Sequence, residues 1–195
     1  MSGLRVRPQW TVVLVVPVLA VVGILVVHFG SSAPPTAATT SQAAPAIHDI
    51  TCDPADHGNV PTAVHLAVLV NGQARDIRPD IGFADALVTY PASGPLVTAA
   101  DCFYWLHTGR ADGVIHADPP PTARRTFTLG DFFDIWRQPL GTEAVGSDEG
   151  LVTSYVNGHR YTGNPRTIPL TEHATIQLDV GADIPPTSYT FPAGT

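Results

Sequence analysis

The chain has 195 residues, enough for one ordinary domain plus an appendage, and part of its 44% hydrophobic content sits in a single run near the N-terminus. All ten basic residues are arginine, and residues 30–195 set eight arginines against seventeen acids, a formal charge of −9. That balance argues against a nucleic-acid partner, which needs a basic face to meet phosphate; acidity on this scale serves solubility.

Residues 1–9 carry Arg5 and Arg7, and from Trp10 to Phe29 the chain is apolar and uncharged. Residues 10–29, at about 1.5 Å each, match a hydrocarbon core of about 30 Å, and Pro17 and Gly23 are tolerable in a membrane helix. Two arginines before the run and none after it until Arg75 predict residues 1–9 in the cytoplasm and the remainder outside. A cleaved signal peptide has a shorter apolar region, about 7–15 residues, and no small-x-small cleavage site follows closely. The expectation is therefore a single-pass signal anchor in the cell membrane, with residues 10–29 in the lipid bilayer. Residues 30–47, rich in Pro, Ala, Thr and Ser, hold no charge and only one large apolar residue, Ile47; they read as a flexible tether. An extracytoplasmic globular domain would then occupy 48–195.

Within that domain, Thr62–Val70 alternates His65 with Ala63, Ala67 and Leu69 against Val64, Leu66, Val68 and Val70. Its β-branched density and the following Asn71-Gly72 predict a strand entering a tight turn, with a return strand over Asp76–Arg78. A short strand is expected at Ala86–Tyr90. Residues 102–118 read as a β-hairpin with a short polar loop ending at Asp112-Gly113; a four-residue loop would set His107 directly opposite His116, a three-residue loop would shift that pairing. Pro119, Pro120 and Pro121 form a corner. Thr128 with Asp131 opens a helix as a capping box, and Leu129, Phe132, Phe133 and Trp136 give it one apolar face before Pro139 ends it. Strands follow at Leu151–Val156 and His159–Tyr161 around Asn157-Gly158, then at Thr167–Leu170 and Ala174–Gly181, with a last short run at Tyr189–Phe191. The fold class is α+β: a mostly antiparallel sheet with one main helix packed on a face, preceded by a single transmembrane helix.

Cys52 and Cys102 are the only cysteines, so one intramolecular pairing is possible. Outside the membrane a disulfide is favoured, pinning the start of the domain to the start of the hairpin; metal ligation or a redox thiol is the alternative. No Cys-x-x-Cys supports a thioredoxin-like reaction. His57, His65, His107 and His116 fall on or near strands that could share a sheet, where converging imidazoles would bind Cu or Zn. Asp112 or Asp118 could add a ligand or orient one. No His-Glu-x-x-His spacing exists, and Met1, the only methionine, excludes a blue-copper site with an axial methionine. For each histidine alone, the plain alternative is a hydrogen-bonded structural imidazole. There is no Gly-x-Ser-x-Gly elbow, no lysine and no glycine-rich phosphate loop. Asp131 and Asp134 read as a solvated helix edge, so no catalytic residue is assigned.

The run Cys102-Phe-Tyr-Trp-Leu-His-Thr108, then Gly113-Val-Ile-His116, then Phe127-Thr-Leu-Gly-Asp-Phe-Phe-Asp-Ile-Trp136 resembles an uncharacterised family of bacterial membrane-anchored or secreted proteins. Its members carry Cys-(Leu/Phe)-Tyr-Trp-Leu-His-Thr-His-Asp, Gly-(Ile/Val)-Ile-His and a Phe-Thr-Leu-Gly-x-Phe-Phe-Asp-x-Trp helix. The likeness covers most of residues 52–192 and implies a shared fold without naming an activity. Where relatives show His-Thr-His-Asp, this chain has His107-Thr108-Gly109-Arg110, so a metal site inferred from the resemblance would lack a ligand here. Three functional expectations result. The first is a membrane-anchored extracytoplasmic accessory or binding domain that docks a membrane or cell-envelope protein through the aromatic hairpin and acidic surface. The second is a Cu- or Zn-binding domain using His65, His107 and His116 with His57 as an optional fourth ligand. The third is an extracytoplasmic enzyme.

Overall fold

The structure, a computed structural model, describes residues 44–55, 57 and 61–192. The expected cytoplasmic tail, transmembrane span and most of the tether lie outside the described residues. Among the described residues no helix is long and apolar enough to cross a membrane. In chain order the strands are β1 (Cys52–Asp53), β2 (Thr62–Val70), β3 (Gln73–Arg75), β4 (Phe83–Ala84), β5 (Leu87–Thr89), β6 (Leu96–Ala99), β7 (Cys102–Tyr104), β8 (Leu106–His107) and β9 (Val114–Ala117). The helix α1 (Leu129–Trp136) follows, then β10 (Ala144–Val145), β11 (Asp148–Glu149), β12 (Val152–Val156), β13 (His159–Tyr161), a 3₁₀ turn at Pro165–Thr167, and β14 (Thr175–Val180).

The main sheet runs β13-β12-β14-β2-β9-β8, with β3 also paired to β2. Its ladders are antiparallel except that between β14 and β2, which is parallel. The mostly antiparallel α+β expectation therefore holds, with one parallel pair added. The alternating apolar positions of β2 and β14 carry no signal of which strand neighbours which, so sequence could not announce it. β2 is the longest strand because its β-branched residues suit the pleat. Asn71 and Gly72, both at positive φ (51° and 83°), make a two-residue turn that leaves no slack. Pairing resumes at once, Val70 opposite Gln73, so the return strand falls at Gln73–Arg75 rather than at the expected Asp76–Arg78.

The expected hairpin is present but its first strand divides at Trp105. β7 joins a separate three-stranded sheet, β1-β7-β4, while β8 stays in the main sheet opposite β9. Trp105 marks the break: its indole N–H donates to Asp53 Oδ2 of β1 at 2.7 Å. The Thr167–Leu170 strand does not form, because Pro169 has no N–H to offer a ladder. Its place is taken by the 3₁₀ turn and an isolated bridge between Thr128 and Pro169, while Ile168 and Leu170 bury their side chains. Tyr189–Phe191 is likewise extended without a ladder.

One face of the main sheet and the helix share the apolar core. Val64, Leu66, Val68, Ile115, Ile176 and Leu178 belong to the same cluster as Leu129, Phe132 and Phe133 of α1. The capping box is made as expected: Thr128 accepts from the Asp131 backbone, and the Asp131 carboxylate receives the Thr128 N–H at 2.9 Å. Asp131 is not a solvated edge. It is 7% exposed and also pairs with Arg125, and although burial raises its pKa, the hydrogen bonds from Arg125 and Thr128 outweigh that and hold it below the usual carboxylate value. The tether ends earlier than its composition suggests: Ile47 packs on the core, Ile50 is fully buried, and the Tyr104 hydroxyl donates to the Pro45 carbonyl at 2.7 Å.

Cys52 and Cys102 form the expected disulfide, 50 residues apart in sequence. It joins β1 to β7, two strands of only two and three residues that have little area of their own to hold them together. Closing a loop of this length stabilises the folded chain by about 4 kcal/mol in the chain-entropy model. Urea unfolding of the Cys52→Ser/Cys102→Ser double variant is expected to show a loss of that order, and an unchanged midpoint would show that the β1-β7-β4 sheet stands without its cross-link.

Candidate functional site

Because side chains alternate along a strand, the face of the main sheet opposite the core carries its own set of residues. β2 presents Ala63 and His65, β9 presents Val114 and His116, β8 presents His107, and β14 presents Thr175, Gln177 and Asp179. His107 lies directly opposite His116, the register that a four-residue loop requires. His116 in turn faces Ala63, and His65 faces Val114. Three of the four expected histidines thus share one face across three neighbouring strands.

Gly113 makes this close arrangement possible. Its N–H-to-carbonyl link into β2 runs through its own carbonyl, which accepts from Leu66 N at 2.8 Å. Its φ is +77°, and a Cβ there would sit 2.5 Å from the Leu66 carbonyl and 3.3 Å from His65 Nε2; only glycine fits without displacement.

His107 and His116 stand with ring centroids 5.7 Å apart and planes tilted by 30°. Phe83 and Phe103 turn their edges and faces to His107 at 5.1 and 4.9 Å. His107 Nδ1–H donates to the Tyr104 carbonyl at 3.0 Å, which leaves Nε2 as the nitrogen with the free lone pair. Burial lowers the His107 pKa to about 4, with His116 adding to the effect and the Tyr104 hydrogen bond opposing it. His116 and His65 are lowered too, again chiefly by burial, with the Asp112 carboxylate pulling each back. Asp112, one of the two expected auxiliary carboxylates, is therefore at the site. The other, Asp118, is not.

His57 stands apart. Its Nδ1 lies 2.8 Å from the Asp118 carbonyl and its Nε2 lies 3.0 Å from Asp53 Oδ2, so each ring nitrogen already faces an oxygen. His65 is also differently engaged: its ring stacks flat on Tyr189, centroids 3.6 Å apart and planes within 8°. Among the described residues no group of three or more His, Cys, Asp or Glu side chains is arranged to hold a metal ion. What the fold brings together is a pair, His107 and His116, with Asp112 and His65 beside it.

The hairpin aromatics are turned inward rather than outward. Tyr104 is 6% exposed, Trp105 packs edge-on to Phe127 and Phe103 packs on His107. Of the three exposed large apolar side chains among the described residues, Leu151 precedes β12 and the other two lie on the β5–β6 arm. That two-stranded arm is separate from both larger sheets; Leu87 is 58% and Tyr90 80% exposed on it. The arm is tied to the hairpin tip by a bridge between Leu96 and Arg110. Its approach, Gly82–Asp85, forms one wall of a groove of about 450 Å³ whose other lining includes Ile81, Tyr104, Ile135, Trp136 and Arg137. Sequence reading missed Tyr189, Gln177 and the arm's second strand; only Tyr90-Pro91 and Gly94-Pro95 hinted at a turn there.

Comparison with protein-family models, with curated proteins and with solved structures finds no match to this chain.

The lowered His107 pKa has a consequence for stability. Folded His107 stays neutral down to about pH 4, whereas an unfolded histidine takes its proton near pH 6.5. The contribution is complete above 6.5 and is lost as pH falls from 6.5 to about 4, by about 3 kcal/mol in all. Denaturant unfolding across that range is expected to show stability rising with pH, and His107→Gln to flatten most of the slope, leaving the smaller part from His65 and His116.

Proposed function

We propose that this chain is an accessory binding domain, tethered to the cell membrane by its N-terminal apolar span, which docks a membrane or cell-envelope protein on the extracytoplasmic side. The motif resemblance to membrane-anchored and secreted bacterial proteins supports the placement, and so does the disulfide, which persists in oxidising surroundings. The observation that carries the binding role is the β5–β6 arm. A two-stranded hairpin gains little stability of its own; this one leans on the hairpin tip through the Leu96–Arg110 bridge and the hydrogen bond from Val97 N to the Gly109 carbonyl, yet spends Leu87 and Tyr90 on solvent. Tyrosine is favoured at protein interfaces because its ring is apolar and its tip is polar. The arm and the groove that leads into it replace the hairpin aromatics as the docking surface.

A photo-reactive phenylalanine analogue at position 90, in the full chain expressed in cells, is expected to give one discrete adduct that Leu87→Asp removes. The same analogue at Leu151, which is 69% exposed, serves as the reference position. Equal adducts at both positions, or none at 90, would sink the reading.

A second reading, a Cu- or Zn-binding domain, is favoured by the His107–His116 pair alone. Two imidazoles that share one ion, each with nitrogen at about 2.0–2.1 Å from it, hold their centroids about 5 to 6.5 Å apart, and 5.7 Å falls within that span. Neutral imidazole nitrogens suit Zn and Cu, and the Nδ1 hydrogen bond of His107 leaves its Nε2 available. In detergent micelles, metal added to the full chain at a hundred times its dissociation constant is expected to stabilise the domain by about 2.7 kcal/mol. His107→Ala and His116→Ala should each abolish that gain and His57→Ala should leave it intact; loss in the His57 variant instead would restore a wider ligand set.

A further inference from the structure

Gln177 and Asp179 pose a problem that the main sheet does not solve. Both project from β14 away from the apolar core, yet they are only 4% and 1% exposed. Buried polar groups require partners; Gln177 Nε2 donates to Asp179 Oδ1 at 3.1 Å, and their other partners lie in the segment that follows β14. Residues 182–192 belong to no strand; they cross the sheet's second face as an extended strap. Gln177 Oε1 accepts from Thr187 N at 3.1 Å and its Nε2 donates to the Ile184 carbonyl at 3.2 Å. Asp179 Oδ2 accepts from Ile184 N at 2.9 Å. Burial is the main cause of the raised Asp179 pKa, which these hydrogen bonds oppose.

The pattern of these contacts is that of a bound peptide. They reach main-chain atoms three residues apart, at 184 and 187, the repeat of a polyproline II helix. Pro185-Pro186 lies between them, favouring that conformation and denying the strap a sheet ladder. The side chains fill separate seats. The Ile184 side chain lies against Gly72, 3.3 Å from where a Cβ would be, Tyr189 lies flat on His65, and Phe191 tilts against His173 at 4.7 Å. Asp183 is held by the Tyr155 hydroxyl at 2.6 Å and by Arg160 at 2.8 Å. Pre-formed polyproline segments docked on aromatic seats, with backbone read by fixed polar side chains, are a recurring mode of peptide recognition.

We propose that the second face of the main sheet is a binding site for extended proline-rich segments, occupied in cis by the strap, and that it takes in trans a segment of the Ile-Pro-Pro-Thr-Ser-Tyr type from another polypeptide. The recognition is carried by Gln177, Asp179 and His65, none of which belongs to the docking arm, so this site stands or falls separately from that one. Main-chain contacts from Gln177 and Asp179 make the site tolerant of the incoming sequence, and the His65 seat selects an aromatic three residues after the second proline. The tethered strap competes at an effective concentration in the millimolar range, so a trans segment gains access as the strap loosens.

The probe is a fluorescent synthetic peptide covering Ala182–Phe191, titrated by anisotropy into the full chain in detergent micelles. The Tyr189→Ala variant, which frees the His65 seat while keeping the strap, is expected to bind the peptide at least tenfold more tightly than the unaltered chain. Adding Gln177→Leu should abolish that binding, and a peptide with alanine at its tyrosine should bind at least tenfold more weakly. A chain ending at Gly181 gives a second test, expected to bind more tightly still if it keeps its circular dichroism. A folded Tyr189→Ala chain with no affinity for the peptide would overturn the proposal. So would concentration-dependent dimerisation without peptide binding, which assigns the face to a second copy exchanging straps.

Discussion

β2 is hydrogen-bonded along both edges, to β14 in parallel on one side and to β9 and β3 on the other, and its pleat divides the domain into two chemistries. Val64, Leu66 and Val68 go to the apolar core; Ala63, His65 and Ala67 go to the opposite face. A slip of one residue against either neighbour would exchange the two sets and bury an imidazole among Phe132 and Phe133. The hydrogen bond from Leu66 N to the Gly113 carbonyl, made where a Cβ would collide with the Leu66 carbonyl, holds the hairpin against β2 in the register that sets His116 opposite Ala63 and His65 opposite Val114.

The remaining elements act mainly to hold that sheet in place. α1 has only eight residues, too short to be stable alone in water; its capping box and its two fully buried phenylalanines supply what propensity does not. Its acidic residues are tied in at either side, Asp131 to Arg125 and Asp134 to Arg166, so the helix is fastened to the segments before and after it. The β1-β7-β4 sheet is cross-linked at Cys52–Cys102 and brings Phe103 and Phe83 over His107. The cross-link thus bears on the histidine pair indirectly, through the roof that keeps it dry and neutral.

The second face combines features that are costly when buried: histidines lowered in pKa, a carboxylate and a glutamine. Unsatisfied, such groups would destabilise the sheet. The strap removes much of that cost by offering backbone partners to Gln177 and Asp179 and an aromatic ring to His65. A polar surface whose partners come from a segment outside every ladder differs from an ordinary core, because the partners can leave without unmaking the sheet.

Much of this was legible in the amino-acid order itself. The β-branched run at Thr62–Val70 and both Asn-Gly turns follow from local conformational preference. So do the capping box at Thr128 and the Leu129/Phe132/Phe133/Trp136 face, and the lone pair of cysteines left a single disulfide to make. The His107–His116 pairing followed from loop length once a four-residue loop was assumed. Tertiary structure alone decided that β14 lies parallel to β2, that the hairpin divides at Trp105, that its aromatics turn inward, and that His57 joins Asp53 and Asp118 rather than the other histidines. It also decided that Tyr189 rests on His65 across more than a hundred residues of chain. These depend on which distant segments meet, and local propensity and side-chain period carry no information about partners far along the chain.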